Sequence, residues 1–208
     1  MTAESRNVMQ IGKEVEAAGM MSTTYIHYGS DHFNPSRFIP IRNCGWQPKP
    51  ADGTGLWASQ EGQKIYHRDE YAGSIYPDGR VVYGWREWCE DNYFHTERLK
   101  KFFRFKLSDG ANIVLLKDSM DLLPLLKTKP WKPKDNSEIL NLPAGQMPTL
   151  EQVQKLYEKN PCFLDYEKMR TDGIDAIELQ NSYLFRDCLD TWDCDCIVVM
   201  NPDVIVPV

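Results

Sequence analysis

Two short glycine-bearing stretches constrain this chain more than anything else in it. The first, Tyr25-Ile26-His27-Tyr28-Gly29-Ser30, is aromatic and β-branched until it meets a Gly-Ser break. That pattern predicts a strand running into a turn. The second, Gly53-Thr54-Gly55-Leu56-Trp57-Ala58-Ser59, sets two glycines ahead of a Leu-Trp pair and small residues. Glycine lets another group come close to the backbone, because no Cβ intervenes. Two strands that each join a glycine to an aromatic ring are suited to form a narrow slot. A flat heterocycle would stack on the rings there, and backbone N–H and C=O groups would hydrogen-bond its amide.

Later stretches add candidate partners for that slot. Gly84-Trp85-Arg86-Glu87-Trp88-Cys89-Glu90 places Trp85 and Trp88 three residues apart, on one face of a predicted helix. They are either the rings of a binding site or core residues anchoring that helix. In Leu99–Leu107, Phe103, Phe105 and Leu107 alternate with Arg104 and Lys106. The period favours a half-buried strand over a basic, aromatic nucleic-acid strip. Ser108-Asp109-Gly110 turns the chain into a second strand, and Asp118–Leu126 follows as a short helix. Pro77-Asp78-Gly79 predicts a hairpin turn between Ser74–Tyr76 and Arg80–Tyr83. Asn34-Pro35 predicts a short helix start, with Asn34 as its cap. Residues 127–148 read as a surface connection. Thr149 and Gln152 read as a capping box opening a helix that ends near Asn160-Pro161. Strands are expected at Ile174–Leu179, Asp195–Met200 and Val204–Val206, with a helix over Ser182–Leu189.

The two glycine segments together resemble the ADP-ribosyltransferase superfamily, in its diphtheria-toxin-like and poly(ADP-ribose) polymerase-like branch. Strands of this kind clamp the nicotinamide of NAD in that family. The counterparts here are His27-Tyr28-Gly29-Ser30 and Gly53–Ser59. The family's histidine directly precedes its glycine, whereas here Tyr28 does and His27 lies one residue earlier. Neighbouring strand residues point to opposite faces. Either a bulge re-aims His27, or Tyr28 takes the slot and His27 faces away. The resemblance implies an α+β fold, with two small, mostly antiparallel sheets around a central cleft and flanking helices. It implies NAD as the substrate that supplies ADP-ribose, and a protein or nucleic acid as acceptor. His27, Tyr28, Gly29, Ser30, Gly55, Trp57 and Ser59 would bind NAD, with Trp85 or Trp88 on the ring. The catalytic carboxylate would be Asp195, at the head of a late β-branched strand, or Glu178, one strand earlier. The alternative is a catalytically silent domain of the same fold that binds a nucleotide or a protein.

Composition narrows the rest. A chain of 208 residues without a composition break fits one domain, placed at 23–208 behind an N-terminal extension at 1–22. Hydrophobic residues at 42% supply a sizeable core. A formal net charge of -6 argues against a general polyanion-binding surface. No apolar run approaches the roughly 20 residues that cross a membrane, and Met1–Lys13 lacks an apolar signal region, so a cytoplasmic protein is expected. The six cysteines include Cys194-x-Cys196, but no second close pair completes a zinc site, so they are expected as buried free thiols and no metal is expected.

Overall fold

The computed structural model describes residues 23–43, 49, 52–76, 79–125, 149, 164–186, 189 and 191–208. Nine strands and two α-helices lie in this part of the chain: β1 (Tyr25–Tyr28), β2 (Leu56–Gln60), β3 (Gln63–His67), β4 (Glu70–Ile75), α1 (Trp85–Asp91), β5 (Phe102–Leu107), β6 (Ile113–Leu116), α2 (Tyr166–Thr171), β7 (Ala176–Leu179), β8 (Cys196–Val199) and β9 (Ile205–Pro207). Seven strands form one sheet in the order β6-β7-β8-β2-β1-β5-β9, and β3 pairs with β4 as a separate hairpin. Every pairing in the large sheet is antiparallel except β6 with β7. The class is therefore mixed α+β with few helices. The two facing sheets expected from the sequence are found as one sheet of two halves, joined at β1 and β2.

That joint is narrow. β1 and β2 pair only at Tyr25↔Gln60 and Ile26↔Ser59, whereas β1 and β5 pair over four positions. Past Ile26 the ladder stops. The imidazole Nδ1 of His27 instead lies 2.7 Å from the Trp57 carbonyl, so a side-chain N–H donates to β2.

Alternation along the strands sorts the core into two layers. On one face Trp57, Ile177, Leu179, Cys196 and Val198 meet Tyr166 and Met169 of α2, Phe185, Leu189 and Trp192, with Trp85 and Trp88 of α1 packed alongside. On the other face lie Tyr25, Leu56, Ala58, Phe103, Phe105, Ala176, Ile197 and Val199. The strand read in 99–107 has the expected pattern: Phe103 and Phe105 are buried, and Arg104 and Lys106 alternate with them. Asn34 caps a 3-10 turn at Pro35–Arg37, its Oδ1 accepting from the Ser36 N–H at 3.1 Å.

Residues 63–75 fold as the β3–β4 hairpin, whose tip is Arg68-Asp69, both at positive φ (54° and 67°). Two expectations are met in shortened form. The hairpin expected between Ser74–Tyr76 and Arg80–Tyr83 is short: an isolated antiparallel Ile75↔Val81 bridge, with the Tyr76 N–H on the Arg80 carbonyl at 2.7 Å and the Val82 N–H on the Ser74 carbonyl at 3.0 Å. The helix expected over 182–189 is a 3-10 turn at Ser182–Phe185. The helix expected over 149–160, the 127–148 connection, and Cys44, Cys162 and Cys188 lie outside the described residues. Among the described residues no helix is long and apolar enough to cross a membrane.

Candidate functional site

The His27 and Tyr28 alternative resolves by strand alternation. His27 points to the second face, its ring 5.1 Å from that of Phe103. Burial holds the imidazole below its ordinary range, partly offset by its hydrogen bond to Trp57. Tyr28 points to the face that carries α1, with Phe102 edge-on at 6.2 Å. Beside Tyr28 lies a recess of about 20 Å³, bounded by Ser59, Tyr71, Arg86 and Glu87. That is space for a water molecule rather than a pyridine ring.

The half-buried His27, its pKa depressed by desolvation, gives the fold an acid limit. A group with a depressed native pKa lends stability above its ordinary value and loses it on acidification. Stability is therefore expected to fall as the pH drops through and below about 6.5. His27→Asn, which keeps a side-chain donor for Trp57, should flatten this part of the profile. Urea midpoints measured between about pH 7.5 and 5 check it.

The glycines are both engaged by backbone bonds. The Gly29 N–H donates to the Lys101 carbonyl at 2.8 Å, and the Gly55 N–H to the Ile39 carbonyl at 2.7 Å. Ser30 donates locally to the His32 carbonyl. Trp57 is buried, with its indole N–H on the Thr54 carbonyl at 2.8 Å and its ring edge-on to Trp192 at 5.0 Å. Trp85 and Trp88 stack on each other at 5.0 Å, with Phe94 against the edges of both. Ser59 ties three elements together: its hydroxyl accepts from the Trp85 N–H at 2.8 Å and donates to the Asp195 carbonyl at 3.1 Å. Gly84 makes this approach possible, since a Cβ there would sit 2.9 Å from that of Ser59.

The two carboxylates have different settings. Glu178 is buried on the second face, where the Tyr25 hydroxyl donates to Oε2 at 2.6 Å and Gln180 to Oε1 at 2.8 Å. Burial, and next the Glu178 charge, push the Tyr25 hydroxyl far above its ordinary range, so it stays a donor. Tyr25→Phe should leave a buried acceptor unpaired and cost about 1–3 kcal/mol. A shift in urea midpoint at unchanged slope would register it.

Asp195 lies just ahead of β8 and is also buried. Its Oδ1 accepts from the Ser182 N–H at 2.8 Å and its Oδ2 from the Tyr76 hydroxyl at 3.3 Å. Burial raises its pKa, and its hydrogen bonds to Ser182 and Tyr76 and the Arg80 charge pull the other way. Unlike Glu178, Asp195 contributes to the wall of a cavity of about 440 Å³, formed with Arg80, Tyr83, Ser182, Tyr183 and Arg186. That volume is in the range of small-molecule sites, roughly 300–1,000 Å³.

The structure thus brings Tyr28, Ser59 and α1 to one face and Asp195 to the cavity, and it sets His27 and Glu178 on the opposite face. Tyr76, Arg80, Ser182 and Arg186 had no local signal in the sequence. They meet because the 76–83 segment and the 181–186 turn converge on the head of β8. Cys89, Cys194 and Cys196 are buried free thiols. A hydrogen bond donated to Cys196, with burial, holds the Cys194 thiol well above its ordinary range. Among the described residues no group of three or more His, Cys, Asp or Glu is placed to hold a metal ion. Comparison with known proteins finds no match for this chain, whether among family models, curated proteins or solved structures.

Proposed function

We propose that this protein is an NAD-consuming enzyme with an ADP-ribosyltransferase-like fold, passing ADP-ribose to a protein or nucleic acid or, failing an acceptor, to water. The observation that carries the reading is the position of Asp195: a buried carboxylate on the wall of a ligand-sized cavity, beside two arginines. In the reaction the bond between the ribose C1′ and the nicotinamide nitrogen breaks, and its electron pair leaves with neutral nicotinamide. The acceptor's lone pair then bonds C1′, and the acceptor gives up its proton. The transition state is oxocarbenium-like, and a fixed carboxylate near C1′ stabilises its charge. Asp195 is the residue assigned that role. A positive charge in the cavity would also favour its ionised form.

A second reading is a binding domain of the same fold that does not cleave its ligand. It is favoured by Trp57 and Gly55, whose ring and N–H are engaged in packing and backbone bonding, and by the water-sized recess beside Tyr28. Nicotinamide release from NAD, followed by chromatography with and without cell extract as acceptor, separates the two. Release above the uncatalysed rate supports the enzyme. Saturable NAD binding without release supports the second reading.

A further inference from the structure

We infer that the open edge of β3 pairs with β3 of a second copy, joining two hairpins into one four-stranded antiparallel sheet about a two-fold axis. The inference is independent of the enzymatic reading. Among the described residues β3 has one neighbour, β4, and takes no backbone hydrogen bond outside that ladder. The far edge of β4 is already occupied, by the Val82 N–H on the Ser74 carbonyl and the Tyr76 N–H on the Arg80 carbonyl. The chain leading into β3 is closed as far as Glu61, whose N–H donates to the Thr24 carbonyl at 2.8 Å. From Gln63 onward the edge is open. All five residues of β3 are exposed, Ile65 at 41% and Tyr66 at 60%. A two-stranded hairpin is marginal by itself, and a bare edge is a template for another strand. β3 has no proline to blunt that edge, and the extra residue of the ladder, Ala72, falls on β4.

The sequence of β3 selects a second copy as the occupant. Two antiparallel copies of one strand are related by a two-fold axis normal to the sheet. Directly opposed residues share a face, so the axis passes through a residue. Axes at Gln63 or His67 would carry the pairing into the Glu61–Thr24 bond or into the positive-φ tip. Three axes remain. Lys64 would set two ammonium groups face to face, and Tyr66 would set Lys64 against Arg68 of the copy. Like charges directly opposed are unfavourable. Ile65 avoids both. It sets isoleucine on isoleucine, Gln63 against His67 of the copy, and Lys64 against Tyr66 of the copy, each of the last two pairings occurring twice. Each ammonium then meets an aromatic ring. Beyond the strand the same register puts Gly62 opposite Arg68 of the copy, and Glu61 opposite Asp69 of the copy. Glu61 already holds Arg104, with Nη2 at 2.7 Å. A five-residue seam is small beside the roughly 1,200–2,000 Å² of a stable interface, so the dimer is weak and concentration-dependent.

The test is sedimentation of the full chain from about 5 μM to about 0.5 mM. Weight-average mass should rise from one copy towards two across that range. Tyr66→Lys opposes two pairs of like charges and should raise the dimerisation midpoint about fivefold or more. Adding Lys64→Glu to it pairs unlike charges across the axis. That double variant should return to within about threefold of the parent. Ile65→Glu, facing itself at the axis, is a second disrupting variant, and circular dichroism checks that all three fold. A chain that stays single at the top of the range overturns the inference and leaves the edge to another strand. A midpoint unmoved by Tyr66→Lys and Ile65→Glu also overturns it, as does a double variant no better than Tyr66→Lys alone.

Discussion

Asp195→Asn should lower nicotinamide release from NAD about a hundredfold or more, as expected when a charge-stabilising group is removed from a reacting centre. The same substitution should leave the fold intact. Asparagine matches aspartate in shape and keeps a carbonyl oxygen for the Ser182 N–H, which donates to Oδ1 at 2.8 Å, while its amide donates to the Tyr76 hydroxyl that donates to Oδ2 in the parent. The sign of the stability effect follows from the pKa direction. Burial raises the native pKa of Asp195 above the usual carboxylate value. The native state therefore holds this proton more tightly than the unfolded chain. The resulting stability is fully present below the unfolded value and lost as pH rises through the native one. Wherever it is ionised the carboxylate thus works against folding, and the amide removes that cost. Urea midpoints of the variant at neutral pH should equal or exceed those of the parent, with a flatter acid-side profile. On the proposed reading, Asp195 trades stability of the fold for activity. A variant that is both inactive and strongly destabilised at neutral pH would instead make Asp195 a structural anion.

Gly55→Ala is expected to cost about 2–5 kcal/mol, from a left-handed backbone and an overfilled core together. Gly55 has φ +65°, and a Cβ there would lie 2.8 Å from the Val198 Cγ2 and 3.3 Å from the Val199 carbonyl. Val198 and Val199 have no exposed surface in the middle of the sheet, so neither has room to retreat. Gly29 is the control. It too has positive φ (106°), but nothing lies within 4 Å of the point a Cβ would occupy, so Gly29→Ala carries only the backbone part of the cost. Paired urea titrations of the two variants separate the contributions. Equal destabilisation would mean that the contact of Gly55 with β8 does not matter.

The parts of this fold legible in the sequence are those encoded locally. Alternation in 102–107 predicts which side of β5 is buried, because Phe103 and Phe105 fall on one face. Asn34-Pro35 predicts a capped turn, because both residues act within three positions of themselves. The face taken by His27 was not decidable, since a shift of one residue inverts a strand. The β3–β4 hairpin is hidden for a different reason. Its tip, Arg68-Asp69, adopts positive φ without glycine, and all five residues of β3 are exposed, so no apolar alternation marks it. The cavity is the least legible feature. Arg80 and Arg186 stand far apart in the chain and become neighbours only when β8 draws the two segments together. Of the two candidate carboxylates, strand position alone could not choose; both are buried with both oxygens hydrogen-bonded, and it is Asp195 that lines the cavity.

The short seam between β1 and β2 has a mechanical outcome. Backbone pairing between β1 and β2 is limited to two residue pairs, and further bonds across the halves are the His27–Trp57, Tyr25–Glu178 and Arg104–Glu61 side-chain bonds and the Glu61 N–H on the Thr24 carbonyl. The β6-β7-β8-β2 leaf and the β1-β5-β9 leaf each hold longer backbone ladders than the axis between them, which leans on side chains. Charging the partly buried His27 is disfavoured by its desolvation although its Nδ1–H still donates to Trp57, so mild acid should loosen that axis before either leaf melts. Amide exchange would then show both leaves protected while the strip along the axis opens first.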